Sequence, residues 1–183
     1  MRRCLLWRLR KMAAQIPSNG LNIDKGLSFP ATVAAQSGGN ILDDYEEGTW
    51  TPTIGNNAGN ETMTLNSTYS GTNKAYYTKI GRMVNITGYI VITGNGTHAN
   101  SSTYLGGLPF AINTTDSGYS SLDVGYTENT ALQQYESIGG YGRVNNSNIA
   151  IFRFDTSGGG TLISRDELSS DGAFIFTMTY FID

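Results

Sequence analysis

Met83-Val-Asn-Ile-Thr-Gly-Tyr-Ile-Val-Ile-Thr93 decides the fold. Val84, Ile86, Gly88, Ile90 and Ile92 take one set of alternate positions, and Met83, Asn85, Thr87, Tyr89 and Val91 take the other. A period of two belongs to a β-strand, whose successive side chains point to opposite faces of a sheet. Just upstream, Ile80-Gly-Arg82 supplies a tight reversal, so residues 75–80 are expected to pair with this strand as a hairpin. Ala173-Phe-Ile-Phe-Thr-Met-Thr-Tyr-Phe-Ile182 alternates in the same way, with Phe174, Phe176, Met178 and Tyr180 opposite Ile175, Thr177, Thr179 and Phe181. Large residues on both faces predict a strand central in its sheet, or one whose second face a neighbour covers.

Working outward, further strands are expected at 49–54, 62–69, 120–126, 149–154 and 161–164. Turns rich in Asn and Gly separate them at 55–60, 94–100, 113–118, 145–148 and 157–160. Many short strands at this spacing predict an all-β fold: an antiparallel β-sandwich of jelly-roll-like type. Ser164-Arg-Asp-Glu-Leu168 reads as a single helical turn, and no repeat or heptad run suggests a long shaft.

The first part of the chain reads differently. Leu5, Leu6 and Leu9 allow a short amphipathic helix over 3–14, after which Pro17, Asn19-Gly20 and Pro30 interrupt regular structure. Residues 1–42 are therefore expected to form an extended arm with apolar pins at Leu21, Ile23, Leu27 and Phe29, and residues 43–183 a β head. Such an arm has no core of its own, so it is expected to lie on another subunit or a neighbouring protein.

Composition narrows the function classes. Only 15% of the 183 residues are charged, against about 25% in ordinary globular chains. Five of the 12 basic residues lie in the first eleven positions, leaving the remainder distinctly acidic, with 7 basic residues against 15 acids. An acidic body argues against nucleic acid, whose binding depends on neutralising phosphates. No window approaches the roughly 20 apolar residues of a membrane-spanning helix. A single cysteine, Cys4, excludes an intrachain disulfide framework.

Signals for chemistry are sparse, and no cofactor or bound metal is expected. His98, the single histidine, sits in the turn Asn95-Gly-Thr-His-Ala-Asn100 and is expected to be an exposed loop residue. Asp43, Asp44, Glu46 and Glu47 form the densest acidic cluster. It reads first as a solvated or salt-bridged surface cluster, with a cation site or a glycosidase carboxylate pair as rival readings. Trp50 is expected to pack at the start of the first strand with its indole N–H bonded locally. Leu108 and Phe110 of Gly106-Gly-Leu-Pro-Phe110 are expected to plug the core beneath a sharp turn. The sequons at Asn60, Asn66, Asn85, Asn95, Asn100 and Asn113 read as turn and strand chemistry in an Asn/Ser/Thr-rich chain.

Three stretches carry a family likeness. Leu42-Asp-Asp-Tyr-Glu-Glu-Gly-Thr-Trp-Thr-Pro-Thr53, Tyr77-Thr-Lys-Ile-Gly-Arg82 and Gly106-Gly-Leu-Pro-Phe110 resemble the C-terminal knob of bacteriophage tail-fibre and virion-appendage proteins. Gly26-Leu-Ser-Phe-Pro30 resembles the stem-to-collar passage of such fibres. The resemblance implies a non-enzymatic virion structural protein, assembled as a homotrimer. Its arm would meet capsid or tail proteins, and its head would be displayed for attachment to a host surface, glycan included. Loops on a rigid scaffold are the usual places of binding, so His98, Asn100, Tyr135 and Tyr141, in the turn set 95–100, 113–118 and 135–148, are the receptor-contact candidates. The arm is short for a tail fibre. A capsid-surface decoration protein is therefore the alternative, and a phage-borne polysaccharide depolymerase the second.

Overall fold

The computed structural model describes residues 45–66, 75–114, 119–144 and 147–183, all within the compact unit Val33–Asp183. The arm pins Leu21, Ile23, Leu27 and Phe29, the helix expected over 3–14, and Asp43 and Asp44 lie outside the described residues. Among the described residues eleven strands and one helical turn follow in order: β1 Tyr45–Trp50, β2 Thr53–Gly55, β3 Thr64–Leu65, β4 Ala75–Ile80, β5 Met83–Gly94, β6 Tyr104–Gly106, β7 Ser120–Glu128, β8 Ser137–Gly142, β9 Ile149–Phe154, β10 Gly160–Leu162, α1 Arg165–Leu168 and β11 Ala173–Phe181. The fold is all-β and every pairing is antiparallel.

The strands form one sheet in the order β1-β4-β5-β11-β7-β8-β9-β6-β2, with β10 added to β9 and β3 to β5. The sheet curls on itself. At its far end Gly55 of β2 bridges Thr62, the Met63 N–H bonds the Ile54 carbonyl at 2.8 Å, and β3 then pairs with β5. The facing layers expected of a sandwich are thus parts of one curled sheet around a single core. β11 is central, as its two-faced pattern predicts, lying between β5 and β7.

The core follows from the period of two. Val84, Ile86, Ile90 and Ile92 of β5 and Phe174, Phe176, Met178 and Tyr180 of β11 all face inward and are buried. One inner row shows how the packing is made. Trp50, Ala75, Gly88 and Phe176 are successive cross-strand partners on β1, β4, β5 and β11. A Cβ on Gly88 would stand 2.6 Å from the Phe176 ring. Two small residues in mid-row leave room for the flanking rings, which meet edge-to-face at 6.3 Å. Among the described residues the buried Trp50 indole N–H has no hydrogen-bond partner, contrary to the local bond expected of it.

Other details differ from expectation for identifiable reasons. The strand expected at 49–54 is two strands, because Thr51-Pro52 ends the pairing with β4, and β2 pairs instead with β6. Proline has no N–H for a ladder. The strand expected at 62–69 is reduced, within the described residues, to Thr64–Leu65. Tyr104–Gly106 and Ser137–Gly142 are additional strands whose glycines mask the alternation. The β4–β5 hairpin and the turn over 164–168 form as expected, with Gly81 in the left-handed region at φ 57°. Glu167 accepts from the Ser164 N–H at 2.7 Å, satisfying one end of that helical turn. Leu108 and Phe110 are half-buried against the core, and Phe110 accepts through its carbonyl the Tyr180 hydroxyl at 3.0 Å. Burial pushes the Tyr180 phenol pKa far up.

Candidate functional site

The sheet has two faces, and the outer one carries the candidate site. β7 and β8 pair only from Ser120↔Gly142 to Leu122↔Gly140. Beyond that point β7 pairs with β11 alone and β8 with β9 alone. A bulge follows the parting three residues on, since Phe176 opposes Val124 and Ile175 opposes Tyr126, leaving Gly125 as the extra residue. A bulge bends its strand and strengthens the local twist. Between the parted strands lies an open groove of about 530 Å³.

Its lining combines a ring with short polar groups. Phe154, 42% exposed, forms one wall, and Ser121, Asp123, Ser137 and Thr177 bring three hydroxyls and a carboxylate. Among the described residues, no lysine or arginine lines it. A Cβ on Gly139 would come within 3.0 Å of the Phe154 ring, and one on Gly160 within 2.8 Å, so these two glycines make room for the ring across neighbouring strands. The ring also ends an aromatic row: Phe154 stacks on Phe152 at 6.2 Å, Phe152 on Tyr141 at 5.3 Å, and Tyr141 meets Tyr119 at 5.9 Å. Nothing lies within 4 Å of a Cβ built on Gly125, which opens the middle of the groove.

The same face carries an apolar row elsewhere. Tyr45, Ile80, Met83 and Phe181 are direct cross-strand partners on β1, β4, β5 and β11, and each is 37–47% exposed.

The residues singled out from sequence do not form one site. Tyr141 is on β8 rather than in a loop, half-buried in the aromatic row beside the groove. Tyr135 is 77% exposed with φ 71°. His98 is only 2% exposed, which corrects the exposed-loop expectation. Its turn folds back on the segment before β3: the Thr97 N–H bonds the Thr62 carbonyl at 2.9 Å, and Ala99 N–H reaches Glu61 Oε2 at 3.1 Å. Arg165 Nη1 donates to the His98 carbonyl at 2.7 Å, and the ring nitrogen Nε2 meets Thr103 Oγ1 at 3.1 Å. Burial lowers the His98 pKa, with the Ala99 backbone and Glu61 opposing and Arg165 reinforcing the shift. Asn100 is an exposed brace, its amide donating to Asp166 Oδ2 at 2.6 Å.

The acidic cluster also divides. Glu46 and Glu47 are consecutive on β1 and so point to opposite faces. Glu46 accepts the Tyr77 hydroxyl and Glu47 accepts the Tyr45 hydroxyl at 2.8 Å. Both interactions raise the tyrosine pKa values. Among the described residues no group of three or more His, Cys, Asp or Glu is placed to hold a metal ion.

A solved tailspike shares this fold. The chain superposes on the Dettilon tailspike protein (gp208) with a TM-score of 0.61 and 14% sequence identity, over 75% of its own length. It spans 24% of that protein. No protein-family model matches the sequence, and neither does any curated protein. At this identity the likeness concerns fold alone. It gives the curled sheet a counterpart in a larger protein without identifying the groove, which is not legible in the sequence because its residues come from four strands.

Proposed function

We propose that this chain is a non-enzymatic virion appendage protein whose β head is presented to a host surface, glycan being the expected receptor class. The observation that carries this reading is the outer face of the sheet: weakly charged, rich in hydroxyls and exposed rings, and opened by a groove. Surface rings and hydroxyls of this kind suit recognition of polar, uncharged partners. The tailspike likeness and the motif resemblance both favour the tail-type appendage over other all-β proteins. The non-enzymatic reading is supported by the groove's described lining, which holds one carboxylate, Asp123, where glycoside hydrolysis uses a pair, and by how other described carboxylates are engaged. Glu136 and Glu167 both sit 3.1 Å from Arg153, Asp166 pairs with Arg165 at 2.7 Å, and Glu46 and Glu47 face apart.

Homotrimeric assembly belongs to the same proposal, as does mounting on capsid or tail proteins through the N-terminal arm. The apolar row Tyr45–Ile80–Met83–Phe181 supports self-association, since four adjacent strands expose it together. The test is adsorption competition. Purified full-length chain should block adsorption of the virus particles that carry it, and should release no reducing sugar from host polysaccharide. Particles that adsorb normally in saturating chain, yet become fragile without the protein, would favour the capsid-decoration reading instead.

A further inference from the structure

We infer that the groove between β7 and β8 is a binding site for an uncharged saccharide, seated on the Phe154 ring and held by Asp123. This rests on the attachment reading and moves its contact point from the loop tips to the face of the sheet. Three independent features converge there. The first is shape: strand parting and the Gly125 bulge open a trough of about 530 Å³ in an otherwise continuous sheet. The second is the platform. A pyranose has an apolar face of C–H groups, and an exposed ring offers it a rigid surface at small entropic cost. Phe154 is such a ring, fixed by stacking on Phe152 and by its close fit over Gly139 and Gly160.

The third is the polar set. Ligand sites pair an apolar lining with a few placed polar groups that fix orientation. Here Asp123 can accept from two neighbouring sugar hydroxyls, a charge-assisted arrangement stronger than neutral hydrogen bonds. Ser121 and Ser137 can donate or accept around it, and Thr177, whose hydroxyl donates to the Ile86 carbonyl at 3.2 Å, can accept. Backbone groups of the two parted strand edges face the same trough, because the β7–β8 ladder stops at Leu122↔Gly140. Charge then selects the sugar. With one carboxylate and no cation among the described lining residues, sialic and uronic acids are repelled, whereas neutral hexoses and N-acetylhexosamines are accepted.

The test uses the full-length chain on an array holding neutral hexose and N-acetylhexosamine oligosaccharides beside sialylated and uronic-acid ones, at low and high salt. Binding to neutral members is expected, with little change between salts because no ion pair is screened. Phe154→Ala and Asp123→Asn should each weaken it by about tenfold or more, a change of about 1.4 kcal/mol. Gly125→Leu, whose side chain enters open space, should abolish it with the unfolding midpoint unchanged. Tyr135→Ala should leave it intact. Neutral-sugar binding that survives both Gly125→Leu and Phe154→Ala would overturn this site. Preference for acidic sugars, or no sugar binding by a chain that still attaches to host cells, would overturn the saccharide inference and leave attachment standing. Failure to attach to cells at all would overturn the attachment reading itself.

Discussion

The two faces of the same strands obey different rules. Inward, β5 and β11 place Val84, Ile86, Ile90 and Ile92 against Phe174, Phe176, Met178 and Tyr180, with glycine and alanine spaced where rings must pass. Outward, they carry Thr87, Thr177 and Thr179, with Ile175 and the paired Met83 and Phe181 left in contact with solvent. Burial disciplines the inner face, since every inward side chain must fit its neighbours at crystal-like density. The outer face has no such requirement within one chain, so what it displays is available for partners.

The comparison breaks first at the rings. Phe176→Ala should cost roughly 3–5 kcal/mol, read as a lowered denaturation midpoint, because it leaves a cavity beneath Trp50 and Gly88. Phe181→Ala, on the opposite face of the same strand, should cost far less in the monomeric head. Equal losses would mean that the faces are not distinct. Next comes Gly88→Val, which drives a side chain into the Phe176 ring and should cost about 1–3 kcal/mol by overpacking.

The inner face was legible in the sequence because it has a period. Alternation alone located β5 and β11, and Ile80-Gly-Arg82 located their neighbouring hairpin. Legibility failed wherever a contact came from far along the chain. His98 looks like an exposed turn residue until Glu61 and Arg165, 37 and 67 residues distant in sequence, close over its turn. β8 reads as a loop because Gly139, Gly140 and Gly142 have no side chains with which to show a pattern. The groove could not be read at all. It exists where a ladder stops, and register between β7, β8 and β11 is a property of the assembled sheet.

A smaller effect sharpens the outer face. If the row Tyr45–Ile80–Met83–Phe181 is a contact between copies, Met83→Ser with Phe181→Ser should raise the oligomer dissociation constant by about tenfold or more. Light scattering that finds a wild-type monomer at micromolar concentration would remove that role. Smaller still is a pH effect at His98. Its folded pKa lies below the ordinary 6.5, so the unfolded chain takes up a proton first as pH falls. This contribution to stability is whole above pH 6.5 and declines as pH drops from there towards the folded value. His98→Gln should flatten that part of the stability–pH curve, and an unchanged slope would assign it to other groups. Smallest of all, Tyr135→Ala should shift stability by no more than about 0.5 kcal/mol, since the side chain is exposed.

The most direct test compares adsorption competition by wild-type chain and by the Gly125→Leu, Phe154→Ala double variant, after confirming that both unfold at the same midpoint. On the proposed attachment reading, the wild type should block adsorption of virus particles carrying it, and the variant should lose most of that capacity. A variant that folds normally and competes as well as the wild type would contradict the claim that the outer face of this sheet is where the head meets its host.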